Sequence, residues 1–152
     1  MRYVVSFTLL LWLMATAHAM APSGHRPSSL QQVQDIISRG VPRLLRVELR
    51  LQATGQIRPI SASALSVLRV RAAEPKTDPA FRQVYSREAQ LREGNRQVWV
   101  ALPDSLAEYF RSDALPGTSL RALTLLAGLD GDQPVLLLEG FETDGQAGAA
   151  RR

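Results

Sequence analysis

Polar and apolar residues alternate most strictly from Leu45 to Gln52. Leu45, Val47, Leu49 and Leu51 fall on one side, and Arg46, Glu48, Arg50 and Gln52 on the other. A period of two predicts a strand with one buried and one wet face. Before it, Leu30, Val33, Ile36 and Ile37 recur at helical spacing, with Ser29 placed as N-cap and Gly40 where a C-terminal cap belongs. A helix this short is not stable alone and must dock, on its own sheet or on a partner. Ala53 to Ser63, with Gly55 and Pro59, reads as a loop. Leu65 to Val70 is a blurred strand candidate in which a helical turn is the alternative. Glu74 to Pro79 carries two prolines and reads as a further loop.

The next pattern is the most ordered. Phe81 to Glu93 reads as a strand with an irregularity near Ser86, and Gly94-Asn95 supplies a two-residue hairpin turn. A tight turn there pairs Glu93 with Arg96, Leu91 with Val98 and Ala89 with Val100 on one face. Arg92–Gln97, Gln90–Trp99 and Glu88–Ala101 then share the other face, so Trp99 points away from the core. Pro103 ends the return strand. Asp104 is placed to cap a helix whose apolar stripe is Leu106, Tyr109 and Phe110. Beyond Pro116-Gly117, Ser119 to Ala127 and Val135 to Phe141 read as strands flanking an Asp130-Gly131 turn. Both are apolar on two faces, so each needs two covers. The helix at Leu30 to Ile37 is the expected second cover.

The first residues change the picture. Arg2, an apolar run from Val4 to Met14, and small residues at Ala17 and Ala19 form a secretory signal peptide over residues 1–19, cleaved after Ala19. The run is too short to span a bilayer, which needs about 20 residues, and no later segment reads as transmembrane. Residues 20–27 are expected as a disordered tail, 28–142 as one domain, and 143–152 as a disordered C-terminal tail. About 130 residues remain after cleavage, enough for a single core. There is no cysteine, so burial alone must hold the fold. Lys76 is the only lysine, which reads as the coding bias of a GC-rich bacterium. Localisation is therefore expected to be periplasmic or secreted.

The net charge of +4 is uneven: basic residues concentrate before Gln97 and acidic ones after it. Such a half can attract anions, or simply present the solvent faces of strands. The order of Leu45 to Leu51, Gln90 to Leu102, Asp104 to Leu115, Gly117 to Ala127 and Val135 to Phe141 resembles an OB-fold barrel. The fold class expected is mainly β with minor α: a small OB-like antiparallel barrel with an added N-terminal helix. An α+β sandwich is the alternative. The resemblance implies a binding surface on the second and third strands, here the outward face of the Gln83–Leu102 hairpin, beside the loop at Gly128 to Gln133.

Candidate chemistry is sparse. His18 lies in the leader and His25 in the tail, so no histidine is expected in the fold. That argues against a Ser-His-Asp triad and the usual zinc sites, and the chain reads as non-enzymatic, with no metal and no cofactor. Asp130-Gly131-Asp132 reads as a solvated turn, lacking the further ligands of a calcium loop. The ligand-binding candidates are Trp99 with Arg92, Gln90 and Gln97, extended by Tyr85 and Arg87. An aromatic platform beside arginine and amides suits a base or a sugar. Alternatively, Trp99 is covered by the N-terminal helix or by the Gly55 to Pro79 segment. The partner-binding candidates are Leu30, Val33 and Ile37. Two functions follow as expectations: a module contacting a protein partner in the cell envelope, or a binder of an anionic oligomer or small ligand on the hairpin's outward face. Nucleic acid is not expected for an exported chain.

Overall fold

The computed structural model describes residues 24–40 and 44–147; the expected leader and its expected cleavage site lie outside them. The chain is mainly β, with six strands in one sheet. The elements run β1 (Arg26–Ser28), α1 (Leu30–Ser38), β2 (Leu45–Pro59), α2 (Ala62–Ala72), a 3-10 turn (Pro79–Arg82), β3 (Tyr85–Glu93), β4 (Arg96–Pro103), α3 (Asp104–Asp113), β5 (Ser119–Asp130), β6 (Gln133–Thr143) and α4 (Asp144–Ala147). Strand order is β1-β2-β3-β4-β6-β5, and β5 also pairs with β2, so the ladder runs round a ring. All pairs are antiparallel except β1–β2 and β4–β6.

The long β2 makes the ring possible. Its first half, Leu45 to Gln52, lies antiparallel to β5. From Gln52 to Pro59 it runs against β3, with a register break between Ala53 and Ile57. Gly55, at φ +83°, sits in that break, where its missing side chain admits the Pro116 ring. The expected loop at Ala53 to Ser63 is therefore mostly strand, because β3 offers it a partner edge. Since β5 occupies one edge of β2 at Val47 to Leu49, β1 fills the opposite edge there. The expected tail at residues 20–27 thus contributes Arg26 and Pro27 to the sheet. Thr143 likewise closes β6, and Asp144–Ala147 forms a helical turn within the stretch expected as a C-terminal tail; the rest of that stretch, 148–152, lies outside the described residues.

The hairpin register is as derived from Gly94-Asn95, pair by pair from Glu93↔Arg96 to Glu88↔Ala101. The irregularity near Ser86 is a register shift between Tyr85 and Arg87. Phe81 belongs to the 3-10 turn, not to the strand, because Pro79 and the Asp78 cap start a helical turn there.

Two apolar clusters lie on opposite faces of the sheet. The inner one joins Val47, Leu49 and Leu51 of β2 to Leu91, Val98, Val100, Leu120, Leu126, Leu136 and Phe110. Phe110 meets Phe141 edge-on at 5.2 Å between centroids. Leu30, Val33 and Ile37 belong to this same cluster. Helix α1 therefore closes the inner core; it does not cover the outer face as expected. Burying three aliphatic side chains is worth about 5 kcal/mol before entropy, which explains why so short a helix holds. The outer face of β5 and β6 is covered by α2 and the 3-10 turn, through Ala64, Leu68 and Phe81, with Tyr85 at the start of β3, against Leu125, Ala127 and Leu137. Ala64 and Leu68 lie one helical turn apart, so the blurred stretch Leu65 to Val70 is helix. Ser61 caps it, and Gly128 lets Val67 approach β5.

Helix α3 departs from expectation in detail. Pro103 is its N-cap and no side chain caps it. Asp104 instead accepts from the Ser86 hydroxyl at 2.6 Å, tying α3 to the start of β3. Tyr109 is 66% exposed, leaving Phe110 as the buried residue of the stripe. No helix among the described residues is long and apolar enough to cross a membrane.

Candidate functional site

The outward face of the β3–β4 hairpin forms one wall of a groove of about 360 Å³. The start of α2 and the β5–β6 turn form the others, through Ser61, Ser63, Asp130 and Gln133. Strand alternation puts Glu88, Gln90, Gln97 and Trp99 on this wall, because Ala89, Leu91, Val98 and Val100 are committed to the core. Trp99 is half-buried. The Arg58 guanidinium lies 3.8 Å from its ring centroid, a cation–π contact worth ~0.5–1 kcal/mol at such partly exposed sites.

Arg58 was not legible as a site residue, since its stretch of sequence reads as loop. The bend at Gly55 brings it opposite Glu88. Its Nε donates to Glu88 at 2.8 Å. Ser61 Oγ donates to the other carboxylate oxygen at 3.0 Å, while also receiving the Ala64 N–H at the start of α2. The Glu88 side chain is only 5% exposed, whereas Arg58 is 44% exposed. Burying a carboxylate is tolerable because both of its oxygens are engaged. Gln90 Nε2 donates to Gln97 Oε1 at 3.2 Å across the strands.

Three of the six ligand-binding candidates do not line this groove. Arg92 donates to Gln52 at 2.8 Å and lines a separate depression with Arg50. Tyr85 is buried under the 3-10 turn, and its hydroxyl donates to the Ala80 carbonyl at 2.9 Å. Burial, followed by the charges of Glu139 and Asp78, pushes this phenol well above its ordinary range. Arg87 lies beyond the register shift, in a different pocket. The proposed strip Leu30, Val33 and Ile37 is buried, with Val33 1% exposed, so it offers no surface to a partner.

A second polar cluster ties the chain's beginning to the sheet. His25 Nε2 lies 2.7 Å from Glu139 on β6; its side chain is 7% exposed, so a histidine does lie in the fold. Arg46 donates to Glu139 and to Asp78, at 2.8 and 2.9 Å. Burial pushes the Asp78 carboxyl up, but the Ala80 N–H and Arg46 outweigh it and hold the group below its ordinary value. Arg121 bridges Glu48 and Glu142 on the same side. Every buried side-chain nitrogen and oxygen among the described residues has a partner. No set of described His, Asp or Glu residues is arranged to hold a metal ion.

Comparison with protein-family models, with characterised proteins and with solved structures gives no match.

Proposed function

We propose that this chain is an exported, non-catalytic binding module of the cell envelope, built on an OB-like frame, which takes an extended segment of a partner protein in the Trp99 groove. The frame is supported by the order β2-β3-β4-β6-β5 returning to β2, by the parallel β4–β6 pair, and by α3 between β4 and β5.

The observation that carries the reading is the groove's composition. Gln90, Gln97 and Gln133 present amides that match the donors and acceptors of a polypeptide backbone, beside the half-buried Trp99. Aromatic residues are enriched at protein interfaces, and aromatic-lined grooves take extended peptides. Charge argues against an anionic oligomer here: one arginine faces two carboxylates, and Arg58 is already committed to Glu88. Asp130 remains for a basic or amide side chain. A binding role also fits Glu88, whose two oxygens are occupied by Arg58 and Ser61 and so are not presented to a substrate.

The test is photocrosslinking. A benzophenone amino acid at Gln97, expressed in the native envelope, is expected to give one discrete protein adduct that is absent when the same group replaces Arg69 on α2. The recovered chain should begin at Met20. Adducts of equal yield from both positions, or none from Gln97, would refute the reading.

A further inference from the structure

A second depression, of about 280 Å³, opens beside the Trp99 groove and is lined by Ile57, Arg58, Pro59, Ser86, Arg87 and Arg111. Three arginines line it, from the end of β2, the start of β3 and the last turn of α3; the Arg58 guanidinium itself stacks on Trp99 and bonds Glu88 in the neighbouring groove. No carboxylate lines it. The nearby acids are turned to other partners. Glu88 holds Arg58, Asp104 takes the Ser86 hydroxyl and N–H, and Glu108, largely in solvent, meets Arg111 at 3.0 Å. The Arg87 side chain has no hydrogen-bond or ion-pair partner among the described residues.

The fold makes this convergence. Pro59 pairs with Arg87 because β2 continues past its bend, and the Asp104–Ser86 tie sets α3 alongside. Arg87, with no acid beside it, and Arg111, whose partner Glu108 is largely in solvent, raise the local potential for an anion. Guanidinium forks match carboxylates in particular. The depression also has an apolar continuation. Ile57 and Arg111 border a neighbouring cleft of about 80 Å³, walled by Phe110, Ala114, Leu115 and Pro116. Leu115 is exposed there. A bare inorganic anion would use the arginines and leave this apolar rim unmatched. A peptide carrying acidic and apolar residues would use both.

We propose that the pocket formed by Arg87 and Arg111 receives the acidic side chains of a polypeptide segment whose apolar residue seats between Ile57 and Leu115. The site is separate from the Trp99 groove and stands without it, although Arg58 borders both.

The test is selection of a random dodecapeptide display library on the purified, immobilised protein. Enriched peptides are expected to combine Asp or Glu with an apolar residue. Replacing their acids by amides should weaken binding about tenfold. The double substitution Arg87→Glu, Arg111→Glu should abolish it, while Gln97→Ala, which lines only the other groove, should leave it unchanged. If charge reversal lowers the urea midpoint, Arg87→Gln with Arg111→Gln carries the same expectation in weaker form. The absence of an acidic class among the enriched peptides, or acidic peptides that bind the variants as tightly, would overturn the proposal. So would displacement of the peptides by equal concentrations of inorganic phosphate or a sulfated oligosaccharide, which would identify a small-anion or polysaccharide site. Loss of binding in Gln97→Ala but not in the arginine variants would place the acidic segment in the Trp99 groove instead.

Discussion

Substituting Arg58 by methionine removes one charge from the groove while keeping most of the side-chain volume. The consequence follows from where its partner lies. Glu88 is nearly enclosed, with its carboxylate bonded to Arg58 and Ser61. Stranding a buried charge by deleting its partner costs about 3–5 kcal/mol when both groups are enclosed. Arg58 is almost half exposed, so water can move in beside Glu88 and the loss should be nearer 2 kcal/mol. Loss of the contact with Trp99 adds ~0.5–1 kcal/mol. Arg58→Met should therefore destabilise by about 2–3 kcal/mol, with Glu88→Gln less damaging because Ser61 can still bond the amide. The double variant should recover about 1–2 kcal/mol of the summed cost. Urea unfolding read by Trp99 fluorescence measures all three, since the other tryptophan, Trp12, belongs to the expected leader. A loss under about 0.5 kcal/mol for Arg58→Met, or strict additivity in the cycle, would refute a structural Arg58–Glu88 pair.

Three further outcomes are expected. Gly55→Ala places a Cβ 2.5 Å from Pro116 Cγ at φ +83° and should cost about 2–3 kcal/mol; adding Pro116→Ala should restore only the steric part, as urea midpoints would reveal. His25→Ala removes the bond to Glu139 and should cost about 1 kcal/mol, with faster amide exchange confined to β1 and the edge of β2 beside it. Arg121 hydrogen-bonding, against opposing burial, holds the Glu48 carboxyl below its ordinary value. Its stabilisation is thus complete above the ordinary carboxylate pKa and lost as pH falls through the lower folded one, below about pH 4. Glu48→Gln should flatten that part of the acid limb, and an unchanged pH–stability curve would contradict the assignment.

The sequence pattern was most legible where local chemistry and tertiary context agree. Gly94-Asn95 permits only one tight register, so every β3–β4 pair and the outward placement of Trp99 could be derived from it. Leu45 to Gln52 declared its buried face because only one face is buried. The failures have a common origin in partners distant along the chain. Gly55 and Pro59 look like loop formers, yet β3 supplies an edge that keeps them in β2. Leu65 to Val70 shows no clear period because α2 buries only a narrow strip, Ala64 and Leu68. His25 looked expendable beside Pro22 and Gly24, and nothing local announces Glu139 across the sheet. The same long-range pairing hid Arg58, the residue that joins the two candidate pockets. Arg92 and Tyr85 share a strand with Gln90 but were drawn elsewhere, to Gln52 and to Ala80.

The claim that a partner occupies the outward face of the β3–β4 hairpin can be measured most directly by cysteine accessibility, since the chain contains no cysteine of its own. Gln97→Cys and Arg69→Cys should react with a small maleimide at similar rates in purified protein. In intact envelope, labelling at position 97 is expected to slow at least several-fold while position 69 is unchanged. Equal rates at both positions in the envelope would contradict the account.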